Sequence, residues 1–291
     1  MIVQSHTPFA DLKQYHDKTV LVVGGDYDGC KKVAQSYGYK NVITPYDIAC
    51  AYPNIWPFGK MYLDTYKTFA SPLPKPIDPS LPDSENLKID SIFVYNDSRD
   101  WGLDSTIMLD TLLSRSGILS TLSPKNGESS LPNNGYLQDN QPPLYYSNPD
   151  LWWAASYHLN RLGQGGFQAA FQGLWDTVTG GAMLERTLIG KPSQMTYEYS
   201  ENRLRAYRKA LWGQVGLNDP LKRVYMIGDN PESDIRGANN YQSPHGSQWT
   251  SILVRTGVWK GEREPSCRPD VVVDDVRRAV EWAVEDTKSK R

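Results

Sequence analysis

The sequence predicts an α/β fold built on parallel sheet, and three observations carry this. Short apolar, β-branched runs alternate with helix-compatible segments along the whole chain. One of those runs, Val224–Ile227, stops at Gly228 and leads directly into Asp229-Asn230-Pro231-Glu232-Ser233-Asp234. Two aspartates, Asp229 and Asp234, therefore follow the carboxyl end of a buried strand, where open α/β sheets hold ligands. The third observation is length: 291 residues suffice for about two domains and a large core.

Composition narrows the function. The formal net charge is −2, which gives no bulk attraction to nucleic acid or to a membrane surface. No apolar run approaches the roughly 18 residues of a membrane span. Neither nucleic-acid binding nor membrane insertion is expected. Cys30, Cys50 and Cys267 are odd in number and far apart, without zinc or disulfide spacing. The nine Trp and eighteen Tyr are scattered, which fits core and rim packing better than a base-stacking platform. No basic leader precedes Ile2-Val3, which reads as the tail of a strand.

The elements follow in order. Residues 5–16 form a loop and a short helix, with His6 and His16 as ordinary hydrogen-bonded side chains. Thr19–Val23 is a strand, Gly24–Gly29 a turn, Cys30–Tyr37 a helix stopped by Gly38, and Asn41–Thr44 the next strand. Together they make one βαβ unit. Residues 71–90 carry Pro72, Pro74, Pro76, Pro79 and Pro82 and form an extended, exposed connector. Ser91–Tyr95 is a strand, Ser105–Ser116 an amphipathic helix, residues 121–143 a loop, and Leu144–Ser147 a short strand. Gly163–Gly166 is a flexible turn ahead of a helix over Phe167–Thr179. Leu184–Ile189 is a strand, Met195–Trp212 a helix, and Ile235–Asn240 a short helical segment after the acidic turn. Thr250–Arg255 and Val271–Val273 are strands. Val276–Asp286 is the closing amphipathic helix.

Three stretches carry chemistry. Asp229 and Asp234 offer hard oxygens that suit Mg²⁺, although an Asp-capped strand-to-helix turn has the same look. Lys191, at the Gly190-Lys191-Pro192 junction, can reach the Asp229 region and act as a point cation for phosphate, or stay a solvated loop lysine. Gly25-Asp26-Tyr27-Asp28-Gly29 also places two carboxylates after a strand. The pair is a solvated loop, or, if it stands for the catalytic motif of the hydrolase family that the chain resembles, Asp26 is the nucleophile, Asp28 its acid/base partner and Thr44 the phosphate-binding hydroxyl. A dinucleotide site there lacks the Gly-x-Gly-x-x-Gly spacing, and two Asp would repel a pyrophosphate.

Gly190-Lys191-Pro192-Ser193 followed by Ile227-Gly228-Asp229-Asn230-Pro231-Glu232-Ser233-Asp234 resembles the last two motifs of the haloacid dehalogenase (HAD) superfamily. Within it the chain is most similar to subclass IIA and the cat eye syndrome critical region protein 5 family of HAD-like hydrolases. Ser5–Phe9, Val20–Gly25, Asn148-Pro149-Asp150-Leu151-Trp152, Gly163–Phe167 and Thr250–Val258 fit that family in order.

The resemblance implies a HAD-like doubly wound, Rossmann-like parallel core, incomplete at its amino-terminal side, with a large inserted α/β cap. Residues 1–185 would be mostly cap, including the connector 71–90, and 186–291 the carboxyl half of the core. It implies Mg²⁺ bound by Asp229, Lys191 paired with the nucleophile and the phosphoryl group, and Asp234 orienting Lys191 or a metal-bound water. Asn230 and Ser193 would support phosphate and metal. The family carries its nucleophile in an Asp-x-Asp-Gly motif upstream of the Ser5–Phe9 stretch and forms an aspartyl-phosphate. The expectation is therefore a Mg²⁺-dependent phosphatase for a small phosphorylated metabolite, in an amino-terminally truncated form with little or no activity alone. The alternative is a non-catalytic binding protein of the same fold. The resemblance also implies a mitochondrial location and a link to glycerophospholipid metabolism.

Overall fold

A computed structural model describes residues 2–218 and 221–289. In chain order the elements are β1 (Thr19–Val23), α1 (Gly29–Ser36), β2 (Asn41–Ile43), α2 (Pro45–Ala51), α3 (Leu63–Lys67), β3 (Ser91–Val94), α4 (Trp101–Leu113) and β4 (Leu144–Tyr146). Then come β5 (Trp152–Trp153), β6 (Arg161–Leu162), α5 (Gln164–Thr179), β7 (Thr187–Leu188), α6 (Gln194–Asn218) and β8 (Arg223–Gly228). The chain closes with α7 (Arg236–Asn240), β9 (Gln248–Val254), β10 (Val271–Val273) and α8 (Val276–Ser289). Contacts divide it into two compact units: Phe9–Asn148 with Gly166–Leu188, and Met1–Pro8 with Pro149–Gly165 and Ile189–Arg291.

The first unit is a five-stranded sheet in the order β2-β1-β3-β4-β7, parallel at every pairing. β1 and β3 lie inside it, and Val20–Val23 and Ser91–Val94 are buried on both faces, as continuous apolar strands require. One face packs Val23, Ile92 and Val94 among Ile107, Phe167, Phe171 and Trp175. On the other, Phe93 meets Phe9 and Tyr145, each with ring centroids 5.0 Å away. The Thr44 hydroxyl caps α2 by accepting from Asp47 N at 3.3 Å, while the Asp47 carboxylate returns to Thr44 N and pairs with Lys31, both at 2.8 Å.

The second unit holds a three-stranded parallel sheet, β10-β9-β8, and a two-stranded hairpin of β5 and β6. The alternation along β8 decides its two faces. Tyr225 and Ile227 point to one side and pack with Ile252, Val254 and the helical stripe Ala279, Trp282 and Ala283 of α8. Met226 points to the other side, where Tyr197, Ala238, Tyr241 and Trp249 gather. The sheet is thus covered on both faces, the doubly wound arrangement that parallel strands need.

Several local expectations change. Ile2 and Val3 belong to no strand, and Ile2 is exposed. The Gly163–Gly166 stretch is no flexible turn, because α5 already begins at Gln164 and gains a turn of helical hydrogen bonds there. The helix from Gln194 runs past Trp212 to Asn218, interrupted at Gly213 (φ 57°, ψ −135°). α4 starts at Trp101 because Asp100 caps it, accepting from Leu103 N at 3.0 Å. The Pro-rich connector is not wholly exposed. Ile77, Leu87 and Ile89 are buried, and Asn86 ties the loop by accepting from Asp78 N at 2.7 Å and donating to Asp78 O at 2.9 Å.

Candidate active site

The site grows from the end of β8. Parallel pairing with β9 runs to Gly228, and Asp229 emerges at the carboxyl end of the sheet. Asn230 then caps the next turn, its side-chain oxygen accepting from Glu232 N at 3.0 Å, and Pro231 supplies a preset first position. The turn Pro231–Ile235 is π-helical, a wider coil than an α-turn and one that recurs at functional sites. It swings Asp234 back so that its Oδ2 accepts from Asn230 N at 3.1 Å. There the carboxylate lies flat on Gly228, where a Cβ would stand 2.2 Å from Oδ2. Only glycine leaves that space.

Two other segments fix the turn. From α6, the Tyr197 hydroxyl reaches the carbonyls of Ser233 and Asp234 at 3.1 and 2.9 Å. From the loop after β9, Val258 N donates to Asp229 Oδ2 at 2.7 Å and Trp259 N to Asp229 O at 3.0 Å. Gly257 permits this approach. It sits at φ +134°, and a Cβ there would be 2.0 Å from Asp229 Oδ2. With Oδ2 held by a backbone donor, Asp229 Oδ1 accepts no hydrogen bond among the described residues.

Lys191 completes the cluster. Gly190–Ser193 forms a turn closed by Ser193 N to Gly190 O at 2.9 Å, and the Thr196 hydroxyl of α6 donates to the Ile189 carbonyl. Lys191 Nζ thereby meets Asp234 Oδ1 at 2.5 Å, with the Asp234 side chain only 4% exposed. Burial pulls the lysine's pKa down, but Asp234, through charge and hydrogen bond, and then Asp150 and Asp229 outweigh it, and the net shift is upward. Lys191 is a cation across the physiological range.

Asp150 is the residue that sequence reasoning missed. It was visible in Asn148-Pro149-Asp150 as part of a resemblance, with no role attached. Asn230 Nδ2 donates to its Oδ1 at 3.4 Å. Burial pushes its pKa up, Lys191 and the Ser233 hydroxyl pull it down, and Asp234 and Asp229 add to the upward push. Three carboxylates thus act on one lysine. Tyr197, Gly257 and Val258 were also unassigned, and only the Gly257 turn after a β-branched run gave any signal.

The expected residues fall into three groups. Lys191, Asp229, Asn230 and Asp234 come together. Ser193 stays in the backbone turn, where its carbonyl accepts from Thr196 N at 3.1 Å. Asp26 and Asp28 belong to the five-stranded unit, ion-paired with Arg99 at 2.7 Å and Lys32 at 2.9 Å. Beside the cluster opens a cavity of about 1130 Å³. Asp150, Asn230 and Ser233 are among its lining residues, whereas Lys191, Ser193, Asp229 and Asp234 do not line it.

Known proteins are similar to this chain over nearly its whole length. A family model described as HAD-hydrolase-like matches residues 188–279, the segment holding Lys191, Asp229 and Asp234. The mitochondrial hydrolase YKR070W of Saccharomyces cerevisiae is 33% identical over 300 residues, covering 98% of this chain and 77% of that protein. The chain belongs to the HAD-like hydrolases. A second relative, the cardiolipin synthase (CMP-forming) / mitochondrial hydrolase fusion protein of Schizosaccharomyces pombe, is 37% identical over 282 residues. The chain spans 42% of the length of that fusion protein. Among solved structures, the hypothetical protein PH1952 from Pyrococcus horikoshii OT3 shares the fold of this HAD-like hydrolase, with a TM-score of 0.52 at 17% identity over 96% of this chain and 73% of that one.

HAD-like hydrolases generally use Mg²⁺, and the donors present suit it. Asp229 presents an uncommitted carboxylate oxygen on a turn with net negative charge. Among the described residues no three of His, Cys, Asp and Glu converge to hold a metal alone. In Mg²⁺ sites generally, one or two carboxylates share the ion with waters and substrate phosphate oxygens.

Proposed function

We propose that this chain is a Mg²⁺-dependent phosphohydrolase acting on a small phosphorylated metabolite. One observation carries the reading: Lys191 Nζ lies 2.5 Å from Asp234 on the same turn that presents Asp229. A buried carboxylate pins the lysine's position and keeps it charged, so its remaining donors can face a phosphoryl oxygen without reorganising. Asp234 is a positioning residue in this scheme. Asp229 would hold the metal, which supplies Lewis-acid stabilisation of phosphoryl charge. Asn230 holds the turn on one side and Asp150 on the other. The names of both relatives support a mitochondrial placement.

The test is hydrolysis of p-nitrophenyl phosphate by the full chain with Mg²⁺ and after EDTA, beside calorimetric binding of Mg²⁺ and orthovanadate. The reading expects Mg²⁺-dependent turnover that Asp229→Asn and Lys191→Ala abolish, with Mg²⁺ binding lost in the first and vanadate binding weakened in the second. Vanadate binding without turnover supports the non-catalytic alternative. Absence of both Mg²⁺ and vanadate binding overturns the site.

A further inference from the structure

The cavity beside the acidic turn is larger than a phosphate needs. Its volume of about 1130 Å³ matches or exceeds the roughly 300–1,000 Å³ of pockets that hold whole small organic ligands. Its lining includes chain neighbours of the site residues. Asn230 follows Asp229 in the chain and bonds Asp150, and Pro192 follows Lys191. A phosphoryl group held at Lys191 and Asp229 therefore has this space for whatever it is esterified to.

The walls decide what that is. One wall is the β5–β6 hairpin, with Leu151, Trp152 and Leu159, and the other is the loop after β9, with Val258 and Trp259. Charge selects little here. Arg236 is tied to Glu232 at 2.5 Å, and Lys260 and Arg263 alternate with Glu262 and Glu264 along the rim. The apolar wall is left exposed: Leu151 by 44%, Trp152 by 45% and Leu159 by 56%. Exposed aromatic and aliphatic surface around a few convergent polar groups marks a ligand site. Trp259 joins wall to site. Its backbone N–H holds Asp229 O, while its indole N–H is taken by Arg263 O at 3.0 Å, so the ring offers an apolar body.

We propose that this cavity is the leaving-group subsite of the enzyme and that it takes a flat, apolar moiety, so that the substrate is a phosphomonoester of an aromatic or similarly apolar alcohol rather than of a sugar. The assignment rests on the phosphohydrolase reading above. It makes the unit that carries Lys191 and Asp229 a source of substrate selectivity in its own right.

Titration calorimetry with two non-hydrolysable probes, benzylphosphonate and methylphosphonate, in the presence of Mg²⁺ tests it. The full chain is expected to bind benzylphosphonate at least tenfold more tightly. Trp152→Ala and Trp259→Ala should each shrink that advantage below threefold while methylphosphonate affinity in Trp152→Ala stays unchanged. Lys191→Ala should weaken both probes by the same factor. Equal affinities for the two probes in the parent chain, with both weakened by Lys191→Ala, overturn the subsite and leave the phosphohydrolase reading standing. A benzyl advantage that survives in both Trp variants also overturns it. Failure of both probes to bind overturns the reading together with the subsite. The two-probe comparison on the parent chain needs no variant, and Trp152 lies half-exposed on a hairpin, where truncation spares the core.

Discussion

Two turns in this chain have similar composition and opposite surroundings. After β1, Gly25-Asp26-Tyr27-Asp28-Gly29 places two aspartates ahead of α1; after β8, Gly228 to Asp234 places two aspartates ahead of α7. In the first, Asp26 is 68% exposed against Arg99, and Asp28 faces a Lys32 that is itself 70% exposed. In the second, Asp234 is 4% exposed against Lys191, and Asp229 is gripped by two backbone N–H groups. The residue types are nearly the same. Burial and backbone donors make one a solvated pair of ion pairs and the other an electrostatic site. Water weakens the first set of interactions several-fold relative to the second.

Lys191→Ala breaks that comparison most strongly. The second turn would lose its cation and retain buried negative charge, whereas no equivalent change in the first turn can do this. Vanadate affinity and any turnover are expected to fall by about 10²–10³-fold. Stability should fall by about 1–3 kcal/mol, the lower part of the range for a broken buried pair because Lys191 is partly exposed. Urea denaturation measures the second quantity, and a variant as stable as the parent would show that Asp234 does not depend on Lys191.

Gly257→Ala comes next. The new methyl collides with Asp229 Oδ2 at a φ of +134°, so either the loop after β9 or the carboxylate must move. The expected cost is about 1–3 kcal/mol, with Mg²⁺ affinity reduced at least fivefold in calorimetry. Undiminished Mg²⁺ binding would mean that Asp229 is not aimed by Val258.

A third carboxylate sharpens the same lesson. Asp104, in the first turn of α4, is fully buried like Asp234 but has no cation beside it. Burial, with Asp100 adding to it against the Ser98 hydroxyl, raises its pKa to about 7. The folded state therefore holds a proton that the unfolded chain releases near pH 3.9. The stability linked to this proton is fully present below about pH 4 and lost as pH rises through about 7. Asp104→Asn should raise the melting temperature at pH 8 by roughly 2–6 °C and leave it nearly unchanged at pH 4. Calorimetry at the two pH values checks this, and equal shifts at both would show that Asp104 stays charged.

These contrasts also mark what the sequence could reveal. Strands such as Val20–Val23 and Ile252–Val254 were legible because buried parallel strands are continuously apolar. The Gly-Asp end of β8 was legible because a strand, a small residue and a carboxylate fall in one short window. The contact of Lys191 with Asp234 spans 43 positions and was reachable only through a resemblance of motifs. The β5–β6 hairpin escaped because each strand has two residues, too few for a period to show. Asp150 escaped because its importance lies in what folds around it. A carboxylate's neighbours, unlike its alternation, leave no trace in its own sequence window.

The smallest expected effect is at the first turn. Asp26→Asn removes one side of an exposed pair with Arg99, whose guanidinium keeps a second bond, to Asp97 O at 2.8 Å. Stability should change by no more than about 0.5 kcal/mol, and less still at 1 M salt, where an exposed pair is screened within about 3 Å. Vanadate and Mg²⁺ binding should stay within twofold of the parent. A catalytic carboxylate behaves differently, since turnover collapses while stability holds. Measured beside Asp229→Asn in the same assays, Asp26→Asn assigns the first turn. Unchanged turnover is the expected outcome for a solvated surface residue, and a loss of turnover would overturn that reading of the first turn.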